Sequence, residues 1–434
     1  MIALLMTLAM FQADKSKDGL PISLSYKDGI WFKTDDGSFT AVLNGRVIAN
    51  YRDILDRPDD VPASAGANRT QPNSLFLRQA RIDFQGTAFK QFEVRLYLDF
   101  PTGQQSNTGT AASSVTGTIQ DAYLGWRPSP EFGIRIGQFK EPISQEQTTS
   151  LRATDFVERS ILDRLVPGRE LGILIHGKPF GGLLEYELGA FNGGGRAVAD
   201  NNDEKEAAGR IRVSPFKSAD DDSLLKGIRL GVSGSIGDVD AASTAATTGD
   251  PLDLTSTELN IKFLDVGGAA VVDGHRSRIG LEFTWLYEFL GLRAEWVRRT
   301  DTLLTGATTT NRIPMKAYYV SLTALLTGEK KTLEDRIVPL NPFDLEGGWG
   351  AFEVAARYAA LRADDDVLSL GASAASPNAN AVQVVSAGVN WYLTRNVRIT
   401  PDFIYERYNR DIGFANGIRE RTFKGFLVRF QIDF

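Results

Sequence analysis

From Phe92 to Phe100 the chain reads FEVRLYLDF, and apolar residues fall on every second position. Phe92, Val94, Leu96, Leu98 and Phe100 share one face of an extended strand; Glu93, Arg95, Tyr97 and Asp99 share the other. The same alternation sets Ile279, Leu281, Phe283 and Trp285 against Arg278, Gly280, Glu282 and Thr284. It sets Phe352, Val354, Ala356 and Tyr358 against Glu353, Ala355 and Arg357. At the C-terminus it sets Phe426, Val428, Phe430, Ile432 and Phe434 against Leu427, Arg429, Gln431 and Asp433. Helical periodicity is nearly absent. The pattern predicts strands over 40–54, 74–87, 90–100, 118–127, 132–139, 170–178, 182–192, 206–214, 226–236, 278–287, 291–300, 315–326, 349–361, 382–393, 397–409 and 421–434. Thr255–Phe263 also alternates, but counting it would break the order of the connections, so it is assigned to the long loop around it.

Long and short connections alternate. Leu55–Asn73, Pro101–Gly117, Lys140–Arg169, Gly237–Ser277 and Arg362–Ala381 are long; Ala88–Phe89, Pro128–Glu131, Pro179–Gly181, Glu288–Leu290 and Thr394–Asn396 are short. An up-and-down sheet shows this when its two ends face different surroundings. The apolar face is Leu, Val, Phe and Trp in strand after strand, while the other face mixes Arg, carboxylates, Gly and Ser. In lipid every backbone N–H and C=O must be paired, so a spanning sheet must close. The expectation is an all-β, transmembrane, antiparallel up-and-down β-barrel of about sixteen strands around a wet lumen. Trp31, Trp126, Trp285, Trp296, Trp391 and Tyr405 lie near strand ends and fit interfacial girdles.

One connection stands out. Between Lys140 and Arg169 lie about thirty residues carrying Arg152, Arg159 and Arg164 together with Leu151, Phe156, Val157, Ile161, Leu162, Leu165 and Val166. A segment with both packing residues and cations is expected to sit against a wall and present charge into a space. Thr327–Gly348, with Lys330, Lys331 and Arg336, is long for the short-turn end. Two readings of it stay open, a tuck into the lumen from below and a flexible turn.

Composition narrows the function. There is no Cys, and the two His, His176 and His275, are far apart, which closes disulfide and thiolate chemistry and argues against a metal site or His-based catalysis. The net charge of −6 disfavours nucleic acid. No G-x-S-x-G, Walker A or H-E-x-x-H motif is present, so no enzyme and no cofactor is expected. Residues 1–13, MIALLMTLAMFQA, are read as a truncated export signal, 14–39 as a periplasmic N-terminal segment and 40–434 as one barrel with a constriction loop at 140–169.

The segments GQFKEPISQEQTTSLRATDFVERS, LVPGRELGILIHG, SLFLRQARIDFQG, IQDAYLGWRP and LTGEKK resemble the phosphate-selective porin O/P family of bacterial outer membranes, from about Gly29 to Phe434. The resemblance implies a sixteen-stranded homotrimeric barrel whose third extracellular loop folds into the lumen, set in lipid and lipopolysaccharide. It implies passive diffusion of small anions, phosphate or other oxyanions, drawn by arginines on the wall and basic residues at the constriction. It also implies that Phe434 is read by the barrel-assembly machinery. The chain departs from the family pattern at Ile143, where an aromatic is usual.

Arg is suited to such a pore because its planar fork of five donors stays charged and replaces part of an anion's hydration. Strand parity turns Arg46, Arg81, Arg95, Arg127, Arg135, Arg210, Arg212, Arg229, Arg278, Arg293, Arg357, Arg398 and Arg429 inward. The expected constriction set is Arg81, Arg95, Arg135 and Lys140 from the wall, with Arg152, Arg159 and Arg169 from the loop. Inward carboxylates such as Asp83, Asp99 and Asp121 offer the competing reading, in which the arginines pair with them and stiffen the wall. A general porin without anion selectivity is therefore the alternative. An outer-membrane hydrolase is a further one, as is a receptor barrel using Gly237–Ser277 as its surface loop.

Overall fold

A computed structural model describes residues 21–55, 73–100, 118–196, 203–220, 222–240, 252–266, 270–305, 309–333, 336–370, 379–413 and 419–434. The expected export signal lies outside them. Near the N-terminus β1 (Ile22–Tyr26) and β2 (Ile30–Thr34) form a hairpin. The wall then runs through β3 (Phe39–Ile54), β4 (Ser74–Ala88), β5 (Phe92–Asp99), β6 (Thr118–Ser129), β7 (Phe132–Lys140), β8 (Arg169–Gly177), β9 (Leu184–Phe191), β10 (Glu206–Val213) and β11 (Arg229–Val239). Two short strands, β12 (Asp253–Thr255) and β13 (Lys262–Asp265), pair with each other and, among the described residues, with no wall strand. The wall resumes with β14 (Ala270–Tyr287), β15 (Leu290–Thr305), β16 (Thr309–Leu325), β17 (Ala351–Ala363), β18 (Ala381–Tyr392), β19 (Val397–Gly413) and β20 (Arg419–Asp433).

Each wall strand pairs antiparallel with the next, and β20 closes on β3 from Gly425 opposite Ile54 to Asp433 opposite Arg46. The result is a closed barrel of sixteen strands. Its two faces invert those of a water-soluble fold. Leu171, Ile173 and Ile175 of β8 point outward and stand open, whereas Arg429 on the inner face of β20 is fully buried. No helix among the described residues is long and apolar enough to cross a membrane. The β1–β2 hairpin extends the sheet along the start of β3, with Ile30 opposite Leu43 and Lys33 opposite Thr40.

Two-residue turns at the short end need no glycine where two residues accept left-handed backbone. Phe89 and Lys90, at φ of 52° and 62°, make such a turn between β4 and β5. Strands β14, β15 and β16 run further at the long-loop end than the expected bounds 278–287, 291–300 and 315–326. The cause is local. The inner face there carries Val272, Leu303, Ile313 and Met315, all buried, so the apolar-out, polar-in contrast that marks a strand disappears.

What buries those residues corrects one expectation. The segment 252–266, expected in the receptor reading as part of a surface loop, packs inside. Leu252, Leu254, Leu259, Ile261, Phe263, Leu264 and Val266 are buried and belong to the same apolar cluster as the inner face of β14–β20. Glu258, at its tip, reaches Arg357 at 2.6 Å and accepts from Ser386 at 2.8 Å. An apolar core thus occupies part of the space inside the wall, next to the loop between β7 and β8.

Candidate permeation site

The loop 141–168 leaves β7 and returns to β8, and it crosses the lumen between them. Its far side is held by the opposite wall. The N–H groups of Gln145 and Glu146 donate to the Glu295 carboxylate on β15 at 3.0 and 2.6 Å. The Val157 N–H donates to Asp402 on β19 at 2.6 Å. Arg398 donates to the Thr154 carbonyl at 2.8 Å and Arg429 to the Leu151 carbonyl at 3.1 Å. Arg357 on β17 joins both infolded segments, pairing with Glu146 at 3.0 Å and with Glu258. Ile143, Val157, Ile161, Leu162 and Leu165 are buried beneath these bonds. Ile143 therefore fills a packing position in the loop's own core.

Two buried carboxylates fasten the loop most firmly. Glu158 meets Arg78 on β4 at 2.9 Å and accepts from Asn50 on β3 at 3.1 Å. Asp155 meets Lys331 at 2.6 Å and Arg293 at 3.4 Å. Burial alone would raise both carboxyls. For Glu158 the charge of Arg78, with Arg429 and Arg52 behind it, outweighs that and holds the group at about 2. For Asp155, Arg293 and Lys331 do the same, again to about 2. Glu146 differs: burial dominates over Arg357 and Ser160, and its carboxyl is pushed up.

Lys331 belongs to the long connection at the short-turn end. Its ammonium is buried between Asp155 and Glu353, so this part of the connection enters the lumen from below.

Between the loop and the wall of β4–β9 lies a cavity of about 600 Å3. Arg81, Arg95, Arg135, Lys140, Arg159 and Arg169 line it, joined by Arg78 and Arg196; Asp121 and Glu187 are the carboxylates among the lining residues. Six of the seven expected constriction residues thus surround one space. Arg152 stands apart. It lines a smaller crevice with Asp155, Lys331, Arg336 and Arg398.

The six do not play equal parts. Arg81 pairs with Asp99 at 2.7 Å, and Arg95 with Asp83 at 2.8 Å and Asp121 at 3.2 Å. Arg169 shares Asp121 at 2.5 Å. The guanidinium groups of Arg81, Arg95 and Arg169 all lie over the Tyr97 ring, at 5.0, 4.8 and 5.8 Å. Lys140 donates to three loop carbonyls, those of Gln147, Thr148 and Thr149, at 2.6, 3.1 and 3.1 Å. Arg159 reaches the carbonyls of Glu146 and Thr149 at 3.0 and 3.1 Å. These last two shape the loop and supply field rather than free donors. Arg135 lies against the Tyr123 ring at 4.3 Å with its Nε buried and unbonded, and it makes no ion pair among the described residues.

Two local features build this wall. Gly137 has φ 132°, and a Cβ there would stand 2.2 Å from the Ala122 carbonyl oxygen, so only glycine lets β7 approach β6 beside Tyr123. Arg78 reaches the lumen through a β-bulge: Ile48 pairs with Gln79 and the next residue, Ala49, with Leu77, leaving Arg78 extra. Parity counted back from Arg81 points Arg78 outward, which is why sequence reasoning missed it; no signal in the sequence marks the bulge.

The family model for phosphate-selective porin O and P matches residues 59–434. The chain belongs to this family. A relative, Porin O of Pseudomonas aeruginosa, is 23% identical over 458 residues, covering 100% of this chain and 97% of that protein. Among solved structures, the anion-selective porin from Comamonas acidovorans matches with a TM-score of 0.53 at 12% identity, over 91% of this chain and 100% of that one. The outer membrane channel DcaP of Acinetobacter baumannii matches at 0.55 and 11% identity, over 92% and 99%. The protein is an outer-membrane porin, and its fold and family are those of a channel.

Proposed function

We propose that this porin is a passive, anion-selective channel, with phosphate or a related oxyanion as the principal solute. One observation carries the reading: the cavity beside the infolded loop has eight cationic side chains against two carboxylates among its lining residues. An anion entering there exchanges water for Arg donors fixed by the wall. Pairing with Asp83, Asp99 and Asp121 pre-orients those donors at the cost of part of their charge. Arg135 retains an unshared guanidinium facing the cavity. The family description and the name of the Comamonas porin support the same reading. The constriction set is Arg81, Arg95, Arg135, Lys140, Arg159 and Arg169, with Arg78 added and Arg152 outside it. Assembly as a homotrimer, contact with lipopolysaccharide, and recognition of Phe434 by the assembly machinery belong to the same proposal, as does the periplasmic placing of the N-terminal segment.

Chloride current through single channels, titrated with inorganic phosphate, tests it. Phosphate that occupies the cavity blocks the current in a saturable way. A chloride current indifferent to phosphate, in a channel that passes potassium as readily, would instead identify a general porin.

A further inference from the structure

The connection between β16 and β17 divides into two halves that face different media. The first half turns into the lumen, where Lys331 is buried against Asp155 of the constriction loop and against Glu353. Ile337 ends this half in a small buried cluster with Leu325, Ala351 and Tyr392. The second half turns the other way, over the outer face of the wall. Phe343 meets Trp391 edge-on at 5.6 Å, and Trp391 stacks on Phe352 at 5.8 Å; Trp391 and Phe352 sit on the lipid-facing side of β18 and β17. The Trp391 indole N–H donates to the Trp349 carbonyl at 2.8 Å, and the Phe343 N–H to the Leu393 carbonyl at 2.8 Å.

Beyond these anchors stand Leu340, Leu345 and Trp349, exposed by 72%, 89% and 71%. Leu345 also has φ 64°, a conformation that a bulky side chain rarely takes. The Asp344 carboxylate fixes that backbone by accepting from the N–H groups of Glu346 and Gly348 at 2.8 and 2.9 Å. A strained leucine held almost wholly open is unfavourable in water on both counts, and backbone strain of this kind marks places where geometry serves a purpose. Here the apolar tips continue the aromatic rim of a wall that already meets lipid, at the short-turn end.

We propose that residues 338–350 form an interfacial membrane anchor, inserting Leu340, Leu345 and Trp349 at the headgroup boundary of the leaflet on the short-turn side. The occupant is zwitterionic phospholipid, because exposed Asp344 and Glu346 flank the tip and disfavour an anionic surface. The anchor holds the first half of the connection in place. Lys331 therefore props the constriction loop through Asp155 from a point fixed in the membrane.

The chain has no cysteine, so Leu345→Cys carries a nitroxide label at one defined site. In vesicles of zwitterionic phosphatidylcholine and phosphatidylethanolamine, the label is expected to collide with oxygen more than with a water-soluble nickel chelate. A label at Asp366→Cys, on an exposed turn of the long-loop end, serves as the aqueous control. Nickel access at Leu345 equal to that control overturns the proposal. Shielding from both reagents also overturns it, since protein rather than lipid would then cover the tip. A second measurement tests the coupling. The double variant Leu345→Ser with Trp349→Ser is expected to conduct with brief current interruptions several-fold more frequent than in the unmodified porin. An unchanged interruption rate refutes the link to the loop.

Discussion

Arg78 on the barrel wall grips Glu158 of the infolded loop with two parallel hydrogen bonds, Nε to Oε1 at 2.9 Å and Nη2 to Oε2 at 3.1 Å. This two-pronged geometry is the strongest form an Arg–carboxylate contact takes. It joins the loop to the wall directly beside the cavity. Glu158→Gln leaves Arg78 facing the cavity without a counter-charge and loosens the loop there by about 1–3 kcal/mol. The expected outcome is a folded barrel with noisier open-channel current and a raised anion preference. Single-channel recording beside a circular dichroism spectrum checks both halves.

Arg135 makes a cleaner probe of selectivity than Lys140, whose removal would free three loop carbonyls. An anion about 6 Å from a guanidinium gains about 0.7 kcal/mol in a water-like medium and about 2.8 kcal/mol at an effective dielectric constant of about 20. Arg135→Gln therefore lowers the anion-to-cation permeability ratio by at least about 3-fold, the lower of those two energies converted. The loop and its fastenings stay as they are. A ratio unchanged by this substitution would make Arg135 a wall residue.

Low pH attacks the loop through its anchoring carboxylates. Glu158 and Asp155 are both held at about 2 in the fold, below their ordinary values of 4.5 and 3.8. A depressed carboxyl contributes stability that is present above the ordinary value and lost as pH falls toward the folded one. The hold supplied by Glu158 and Asp155 should therefore be constant from pH 7 to about 5 and weaken progressively as pH falls from about 4.5 toward 2. Current noise recorded across that range reads the effect. Noise that rises already between pH 7 and 5 would assign it to other groups.

Gly137→Ala tests the root of the loop. The added Cβ meets the Ala122 carbonyl oxygen at 2.2 Å on backbone that is already left-handed. Strain and overpacking together cost about 2–4 kcal/mol. A smaller folded fraction is expected after refolding into detergent, measured as the heat-modifiable band on gels. Gly181→Ala, at a turn where a Cβ meets nothing within 4 Å, is the companion control for backbone strain alone.

The wall was legible in the sequence because its outside meets one medium and its inside another, so each strand writes its own alternation. Phe92–Asp99 and the end of β20 from Val428 to Asp433 show this where the inner face is wet or charged. The signal fails where protein fills the lumen. Val272, Leu303 and Ile313 are apolar on the inside because 252–266 covers them, and the expected strands stop short there. The infolding of that segment had a trace in its run of Leu254, Leu259, Ile261, Phe263 and Leu264, too apolar for a loop in water. Residue type and parity gave most of the cavity's cations. They could not give Arg78, which a bulge turns inward, nor the partners that leave Arg135 unshared while Lys140 is tied to carbonyls. Those depend on distances set by the loop.

The most direct test of anion selectivity is the reversal potential of the purified porin in a planar bilayer under a potassium chloride gradient. The account predicts a value close to the equilibrium potential of chloride. A reversal potential near zero, or one displaced toward the potassium value, would contradict it.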